Sequence, residues 1–269
     1  MYFAMDEIGF ENTETIKTIA SEIDRWRFIY NTAQIYGFDG IHITPSLYKK
    51  FRLDMDNIPE YFSEFKLTFH IGGIYNAVPE NFCNSFDREI ENALKLAVKY
   101  NMHDVSIHPP DAALTAIEKN LTLEYLKKLV DKWLNKFIKC GISLSLETHV
   151  AGEWFLFDGL YEYVNFVDIF PDLGVLIDIS HNYYNPQYSE DDIINILKNK
   201  NIKGLHISDA LRSAEFEEGT HLAIGDGTID FPKLLQGFEK FENLYGVLEI
   251  KSNNTGIEKS LRTLNEMIK

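Results

Sequence analysis

Cysteine is scarce in this chain, and so are long apolar runs. Two cysteines occur in 269 residues, Cys83 and Cys140, far apart and outside any CxxC pattern. Two such thiols do not make a disulfide framework, and reduced structural thiols are typical of a cytoplasmic protein. No apolar stretch approaches the roughly 18 residues that a membrane span requires. Residues 1–10 carry acidic side chains and no basic segment, unlike a signal peptide. We therefore expect a cytoplasmic protein without a membrane partner.

Positive charge is also in short supply. Lysine and arginine total 26 against 41 aspartate and glutamate residues, which gives a formal net charge of −15. Such a chain is repelled by nucleic acid unless a local basic stripe compensates. The basic residues are instead spread over predicted helices, for example Lys127 and Lys128. Nucleic acid is therefore not an expected partner.

A regular alternation of apolar runs and amphipathic segments organises the chain. The predicted strands are 2–5, 40–45, 66–70, 104–108, 142–147, 174–178, 202–206 and 245–250. The predicted helices between them include 13–36, 84–101, 122–139 and 158–169, with further helix starts at Ser189 and Asp230. This rhythm predicts an α/β fold, a single (β/α)8 TIM barrel, as one domain over residues 1–269. A doubly wound open sheet is the alternative, but it would carry a glycine-rich phosphate loop after the first strand, and none is present.

Six of the predicted strands end in a residue type that binds metals. These residues are His70, His108, Glu147, Asp178, His206 and Glu249. The carboxyl ends of parallel barrel strands share one face, so we expect these side chains to converge there. Burying so many carboxylates and imidazoles together is costly without a compensating cation. Mixed ligands of this kind suit Zn²⁺, Mn²⁺, Fe²⁺ or Co²⁺ better than Ca²⁺. The sequence therefore predicts a divalent metal site at the barrel mouth.

The motifs around these residues resemble the xylose isomerase-like TIM-barrel superfamily. The resemblance rests on Glu147 and Glu249, on Asp-Ile-Ser-His at 178–181, on His-Ile-Ser-Asp at 206–209 and on the stretch 221–231. That superfamily includes sugar epimerases, hydroxypyruvate isomerase, inosose-processing enzymes and the endonuclease IV repair enzymes. The resemblance does not choose among these members.

The epimerase branch of the superfamily implies one metal ion and a pair of acid/base carboxylates. Its metal ligands would be Glu147, Asp178, His206 and Glu249. Glu147 and Glu249 would also be catalytic, one removing a proton α to a carbonyl and the other returning one through an enediolate. His181 and Arg212 match positions that hold substrate oxygens. The implied substrate is a small carbohydrate or a sugar phosphate, and we favour this reading.

The repair-nuclease branch is the alternative, and it implies up to three zinc ions acting on abasic DNA. His70 and His108 would join Glu147 at an added metal, while His181 and His221 would serve a third. The third site also needs an aspartate two residues before the last histidine, and that position is Gly219. His70 and His108 could equally bind substrate, so one, two or three metal ions remain open. The negative net charge weighs against a DNA substrate.

Three other histidines have weaker assignments. His42 is expected to be either a polar strand residue or a distant wall of the pocket, and His149, two residues after Glu147, is a candidate to project into the mouth. His103 precedes a strand and should lie at the opposite end of the barrel. Aromatic residues in the loops after strands five and six fit a sugar-stacking wall, loop packing or the contact of a homodimer.

Overall fold

Eight parallel strands close into a barrel in a computed structural model that describes residues 1–6, 18–72, 79–109, 115–150, 155–238, 244–251 and 254–268. The strands are β1 (Tyr2–Met5), β2 (Gly40–Ile43), β3 (Lys66–Ile71), β4 (Asp104–Ile107), β5 (Ser143–Glu147), β6 (Gly174–Asp178), β7 (Ile202–Ile207) and β8 (Tyr245–Leu248). They pair in sequence order, and β1 pairs with β8 to complete the ring. The predicted (β/α)8 barrel is confirmed, and the open-sheet alternative is excluded.

Helices connect the strands. The α-helices are α1 (Glu22–Tyr36), α2 (Pro45–Phe51), α3 (Pro79–Lys99), α4 (Ala116–Lys139), α5 (Leu160–Val167), α6 (Ile179–Tyr184), α7 (Glu190–Leu197), α8 (Phe216–Gly219), α9 (Phe231–Phe238) and α10 (Asn254–Ile268). Two short 3-10 helices, Met55–Asn57 and Glu60–Glu64, precede β3. Within the described ranges, no helix is both long and apolar enough to cross a bilayer.

Capping residues set several helix starts and correct two predictions. The predicted helix 13–36 is interrupted at residues 19–21, because Ser21 has extended backbone and caps α1, which begins at Glu22. The first part of that prediction, up to residue 17, lies outside the described residues. The predicted helix 122–139 begins too late, because Thr115 and Glu118 form a capping box at the start of α4. The predicted starts at Ser189 and Asp230 are confirmed by their bonds to backbone amides.

Side chains along each strand point alternately outward and inward, which gives one apolar core under the helices and another inside the barrel. Outward-facing residues such as Leu67, Phe69 and Leu144 belong to the large apolar core under the helices. The barrel interior holds a separate small cluster, namely Tyr2, Ala4, Leu176, Tyr245 and Val247. The strands are therefore buried on both faces, as expected for a parallel barrel.

The floor of the barrel is polar, which the apolar appearance of the strands did not reveal. Asp104 accepts hydrogen bonds from Ser145 Oγ at 2.6 Å and from the Tyr245 phenol at 2.7 Å. Burial raises the pKa of the Asp104 carboxyl to about 6. Gly204 makes this arrangement fit, because a Cβ there would stand 2.4 Å from the Tyr245 ring. Glycine on β7 thus admits a tyrosine from β8 into the interior.

Candidate active site

The carboxyl ends of β5 to β8 bring the four predicted metal ligands together. Glu147, Asp178, His206 and Glu249 each offer a ligand atom, and these atoms lie within 4.8 Å of one another. Asp178 pairs in register with His206 on the next strand. Asp178 also caps α6, because its Oδ1 accepts from the His181 amide at 2.7 Å, and this leaves Oδ2 free for the cluster.

Several buried atoms of this cluster have no hydrogen-bond partner. They are Glu147 Oε2, Asp178 Oδ2, His181 Nδ1, His206 Nδ1 and Glu249 Oε2. His206 Nδ1 is 2.8 Å from Glu147 Oε1 and 2.9 Å from Glu249 Oε2, yet it makes no hydrogen bond of acceptable geometry. Unpaired buried polar atoms are costly. A divalent cation would satisfy carboxylate and imidazole atoms together, so these residues fit the metal ion that the sequence predicts.

The charges of the cluster depend strongly on one another. Burial raises the pKa of Asp178 to about 7, and the neighbouring carboxylates Glu249 and Glu147 add to this. Burial opposes the ionisation of Glu147 too, but nearby imidazoles, above all that of His206, hold its pKa below the ordinary value. Although burial lowers the pKa of His206, Glu147 and Glu249 raise it well above the usual range. Without a cation, the protonation of each carboxylate thus depends on the charge of the imidazoles around it.

His70 and His108 approach the second oxygen of Glu147. Their Nε2 atoms lie 3.3 Å and 4.0 Å from Glu147 Oε2. The other ring nitrogen is engaged in each case, because His70 Nδ1 is 2.9 Å from Ser106 Oγ and His108 Nδ1 is 2.5 Å from the Pro109 carbonyl. Both rings therefore present Nε2 to the site, where a second cation or substrate hydroxyls could bind.

His181 and His221 form a second group with Asp178, whose ligand atoms also lie within 4.8 Å of one another. The two Nε2 atoms are 3.0 Å apart. His221 has left-handed backbone, with φ of 55°, which is uncommon for a residue other than glycine. Its Nδ1 lies 3.2 Å from the Glu249 carbonyl.

Asp209 holds the segment that carries His221 against the barrel. Its backbone exchanges hydrogen bonds with Leu222 at 2.8 and 2.9 Å. Its carboxylate accepts from the Gly225 amide at 2.8 Å and from the Ile229 amide at 3.1 Å. The aspartate of the 206–209 motif therefore organises the loop after β7, and the loop in turn places His221.

Gly219 occupies a position that has no room for a side chain. A Cβ there would lie 2.6 Å from the Leu211 carbonyl oxygen and 3.2 Å from the Tyr184 ring. The Gly219 carbonyl also accepts from the Leu211 amide at 2.8 Å. The local packing thus leaves no space for an aspartate side chain at this position without movement of the loop.

Arg212 binds backbone rather than the clustered side chains. Its Nε donates to the Tyr183 carbonyl at 2.6 Å, its Nη2 donates to the Tyr188 carbonyl, and its guanidinium lies 3.9 Å from the centre of the Tyr183 ring. These contacts tie the loop after β7 to the connection between α6 and α7. A role in substrate binding stays a prediction.

Two further histidines lie close to the cluster. His42, expected to be either a polar strand residue or a distant wall of the pocket, has its Nε2 3.3 Å from His206 Nε2 across the interior. Burial, with His206 and His70, lowers the pKa of His42 well below its usual value. The His149 ring lies 4.5 Å from that of His108 and 5.4 Å from that of His181, centre to centre. His42 lies within β2, so its position depends on the strand register, whereas His149 follows β5, the strand that ends at Glu147.

Aromatic rings border the histidines at the mouth. Phe155 lies 4.8 Å from the His149 ring, and Phe216 lies 5.7 Å from the His181 ring. Tyr184 packs edge-on against Phe216 at 5.3 Å. The site thus combines imidazole hydrogen-bonding groups with flat apolar faces. His103, by contrast, precedes β4 at the amino-terminal end of the barrel.

A closed parallel barrel with a carboxylate and histidine cluster at the carboxyl ends of its strands defines the class of this protein as a (β/α)8 barrel with a metal-type site. The chain belongs to the family described as xylose isomerase-like TIM barrel, whose profile matches residues 30–267. None of the curated proteins compared with the chain matches it.

Solved structures share this fold at low sequence identity. A D-tagatose 3-epimerase-like protein is 19% identical with a TM-score of 0.71, covering 100% of this chain and 97% of that chain. An IolI protein with a bound zinc atom is 16% identical with a TM-score of 0.73, covering 100% and 96%. A probable 3-DHS dehydratase AsbF from Bacillus anthracis is 14% identical with a TM-score of 0.69, covering 98% and 99%. At these identities the similarity concerns the fold, which hosts differently named activities.

Proposed function

We propose that this protein is a divalent-metal-dependent isomerase or epimerase of a small sugar or sugar phosphate. The observation that carries the proposal is the approach of Glu147 and Glu249 to the same imidazole nitrogen, at 2.8 and 2.9 Å, within a four-residue ligand group. One carboxylate comes from β5 and the other follows β8, so they reach the site from different parts of the ring. The epimerase-like and zinc-containing structures of the same fold support the assignment.

The metal ion would be held by Glu147, Asp178, His206 and Glu249. When bound, it supplies a positive charge that polarises a substrate carbonyl and stabilises the charge of an enediolate. Zinc, manganese, iron or cobalt suits this mixed ligand set. His206 and Asp178 serve only as ligands in this assignment, whereas the two glutamates have a further role.

Glu147 and Glu249 are proposed to move the proton. Although burial raises it, the imidazoles of His206 and His221 hold the pKa of Glu249 well below the usual value, so this carboxylate is ionised in the metal-free site. One glutamate, in its ionised form, removes the proton on the carbon α to the carbonyl. The other must carry a proton at the start of the step and returns it to the enediolate, and exchange with solvent then resets the two carboxyl groups. Return to the opposite face of the same carbon gives an epimer, while return to the neighbouring carbon gives an isomer.

Substrate hydroxyls are proposed to bind the imidazoles around the glutamates. His70, His108 and His181 are largely buried at the mouth and offer ring nitrogens to the site. Phe155 and Phe216 provide apolar faces for the C–H surface of a sugar ring. Arg212, an exposed residue in the loop after β7, is kept as a predicted substrate contact.

The test is isotope exchange, because it reports proton removal directly. Ketoses and aldoses, free and phosphorylated, are incubated with the metal-loaded protein in D₂O, and deuterium at the carbon α to the carbonyl is followed by NMR. We expect exchange with at least one sugar, and a loss of about 10²–10⁴-fold in Glu147→Gln and in Glu249→Gln. Glu215→Gln, at an exposed residue near the mouth, is the control and should retain full activity. Unchanged exchange in both active-site variants would reject the acid/base assignment.

A multi-zinc phosphodiesterase is the second candidate. The approach of His70 and His108 to Glu147 Oε2 favours it, because these three residues could hold an added cation. Gly219 and the net charge of −15 oppose it. Metal analysis separates the two, since one equivalent per chain fits the isomerase and two or three fit the phosphodiesterase. Nicking of an abasic DNA duplex is the direct activity assay.

A further inference from the structure

The two ring nitrogens of His206 have different neighbours. One faces the carboxylates of the ligand group, and the other faces a second imidazole. Nδ1 faces the carboxylates of Glu147 and Glu249 without a hydrogen bond. Nε2 points across the barrel interior to His42 Nε2, at 3.3 Å and with hydrogen-bond geometry. The two rings stand nearly perpendicular, with centres 5.2 Å apart.

His42 is itself held on its far side. Its Nδ1 lies 2.7 Å from the hydroxyl of Thr68, the residue paired with it in register on β3. His42 and Thr68 are both fully buried, and the His42 ring stacks on that of His70 with centres 5.4 Å apart. A line of three polar groups therefore runs from β3 through β2 to β7, ending at the proposed metal ligand.

The position of the proton on each ring determines which atom donates in each of these hydrogen bonds. If His206 Nδ1 binds a cation, that nitrogen carries no proton, so the proton of the neutral ring is on Nε2. Nε2–H must then donate to His42 Nε2, which can accept only if the His42 proton is on Nδ1. That proton in turn donates to Thr68 Oγ1. Each link determines the next, and the opposite arrangement places two donors face to face.

We propose that His42 is a positioning residue, which together with Thr68 fixes the tautomer and the ring orientation of His206 as a metal ligand. The inference rests on the proposed metal site but does not depend on the reaction. Groups behind a ligating histidine commonly have this effect, and their removal typically weakens metal binding about 10–100-fold. Here the supporting group is an imidazole rather than a carboxylate or a backbone carbonyl.

The same three histidines allow a competing arrangement. His42, His70 and His206 offer nitrogens within 4.8 Å of one another, and so could hold a second cation. The hydrogen-bond geometry between His42 and His206 favours the relay, because the two nitrogens point at each other rather than at a common point. A ligand role for His42 is therefore an outcome that the experiment must be able to reveal.

Four substitutions and two measurements test the proposal on the full-length protein. His42→Leu removes the acceptor and Thr68→Val removes the hydroxyl with little change of shape. His42→Gln and Thr68→Ser are the conservative partners, because they keep a polar atom for the neighbouring group. Zinc affinity is measured by competition with a chelator, and the metal content is counted. Long-range ¹⁵N NMR of histidine identifies the protonated nitrogen of each ring in the zinc-loaded protein.

We expect zinc binding about 10–100-fold weaker in His42→Leu and Thr68→Val, and recovery of most of the loss in His42→Gln and Thr68→Ser. The NMR spectra of the zinc-loaded protein should show His206 protonated on Nε2 and His42 on Nδ1. Unchanged affinity in a folded His42→Leu protein, or the opposite tautomers, would overturn the proposal. Loss of a whole metal equivalent in His42→Leu would also overturn it and make His42 a ligand.

The failure of this inference is distinguishable from that of the proposed function. If the wild-type protein binds no divalent metal, both are wrong. If it binds metal and exchanges substrate protons while His42→Leu behaves like wild type, only the positioning role is rejected. Circular dichroism and the Tm of each variant show whether it is folded. If His42→Leu does not fold, the comparison of Thr68→Val with Thr68→Ser tests the proposal instead.

Discussion

Tyr245 and Asp104 meet across the floor of the barrel, where the phenol donates to a carboxylate oxygen at 2.7 Å. They come from β8 and β4, which are diametrically opposite in the ring. The only other side chain that donates to Asp104 among the described hydrogen bonds is Ser145, at 2.6 Å. A buried carboxyl with two neutral donors thus joins opposite walls of the interior.

We expect Tyr245→Phe to destabilise the protein in a pH-dependent way. Burial raises the pKa of Asp104 to about 6, so its folded-state pKa lies above the unfolded value and its ionisation reduces stability as pH rises between about 4 and 6. The phenol favours the ionised form, so its loss should cost about 1–3 kcal/mol and more at pH 8 than at pH 5. Urea unfolding at the two pH values measures this.

Tyr163→Phe is the matched control for that experiment. Tyr163 is also buried, but its hydroxyl donates to the backbone carbonyl of Leu146 at 2.6 Å rather than to a carboxylate. The loss of unfolding free energy in Tyr163→Phe should therefore be similar at pH 5 and pH 8. An equal loss of unfolding free energy in Tyr245→Phe at both pH values would show that Asp104 does not change its protonation state between pH 5 and pH 8, contrary to a pKa of about 6.

Metal affinity should increase with pH. Asp178 has a pKa of about 7, and Glu147 and Glu249 raise the pKa of His206 well above its usual range. Protons on these two ligands compete with the cation, so binding releases protons and strengthens as pH rises from about 6 to 8. Calorimetry of zinc binding in buffers of different ionisation enthalpy counts the released protons. A constant affinity without proton release would contradict the assigned ligands.

Restoring an aspartate at Gly219 should not create a third metal site. Its Cβ would meet the Leu211 carbonyl at 2.6 Å, so we expect Gly219→Asp to lower stability by about 1–3 kcal/mol. Gly219→Ala brings the same Cβ without a carboxylate and should lose a similar amount. Metal content and urea unfolding of both variants provide the measurement. An added zinc equivalent with unchanged stability would show that the loop after β7 can move aside.

Arg212→Lys separates a structural role from a substrate contact. The guanidinium binds two carbonyls, those of Tyr183 and Tyr188, and stacks on an aromatic ring, which an ammonium does not reproduce. We expect a loss of about 1 kcal/mol in stability. KM and kcat for the identified sugar decide the rest, since a marked rise of KM in a fully stable variant would support the predicted substrate contact instead.

The convergence of Glu147, Asp178, His206 and Glu249 could be predicted from the sequence, because the topology of a parallel barrel brings residues that are far apart in the chain to the same face. Glu147 and Asp178 each end a strand, and parallel strands in a ring all end on one face. No knowledge of register is needed for that argument. The same reasoning applies to His206 near the end of β7 and to Glu249 directly after β8.

His42 and Asp104 could not be placed in this way. Both lie within strands, and whether such a residue faces the interior or the helices depends on register, which a shift of one residue reverses. The contact of His42 with His206 crosses the interior from β2 to β7. The start of α1 was misjudged for a local reason, because the helical spacing of apolar residues continues upstream of the Ser21 cap while Ile23 is 49% exposed.

The floor of the barrel is buried beneath the ligand group. Tyr2, Asp104 and Tyr245 are almost inaccessible to solvent, so the described residues leave little solvent contact with these side chains at the amino-terminal ends of their strands. We therefore expect a cation and the proposed substrate to enter from the carboxyl ends of the strands. An inhibitor lodged there would also shield the ion from chelators, which couples the lifetime of the bound metal to the occupancy of the substrate pocket.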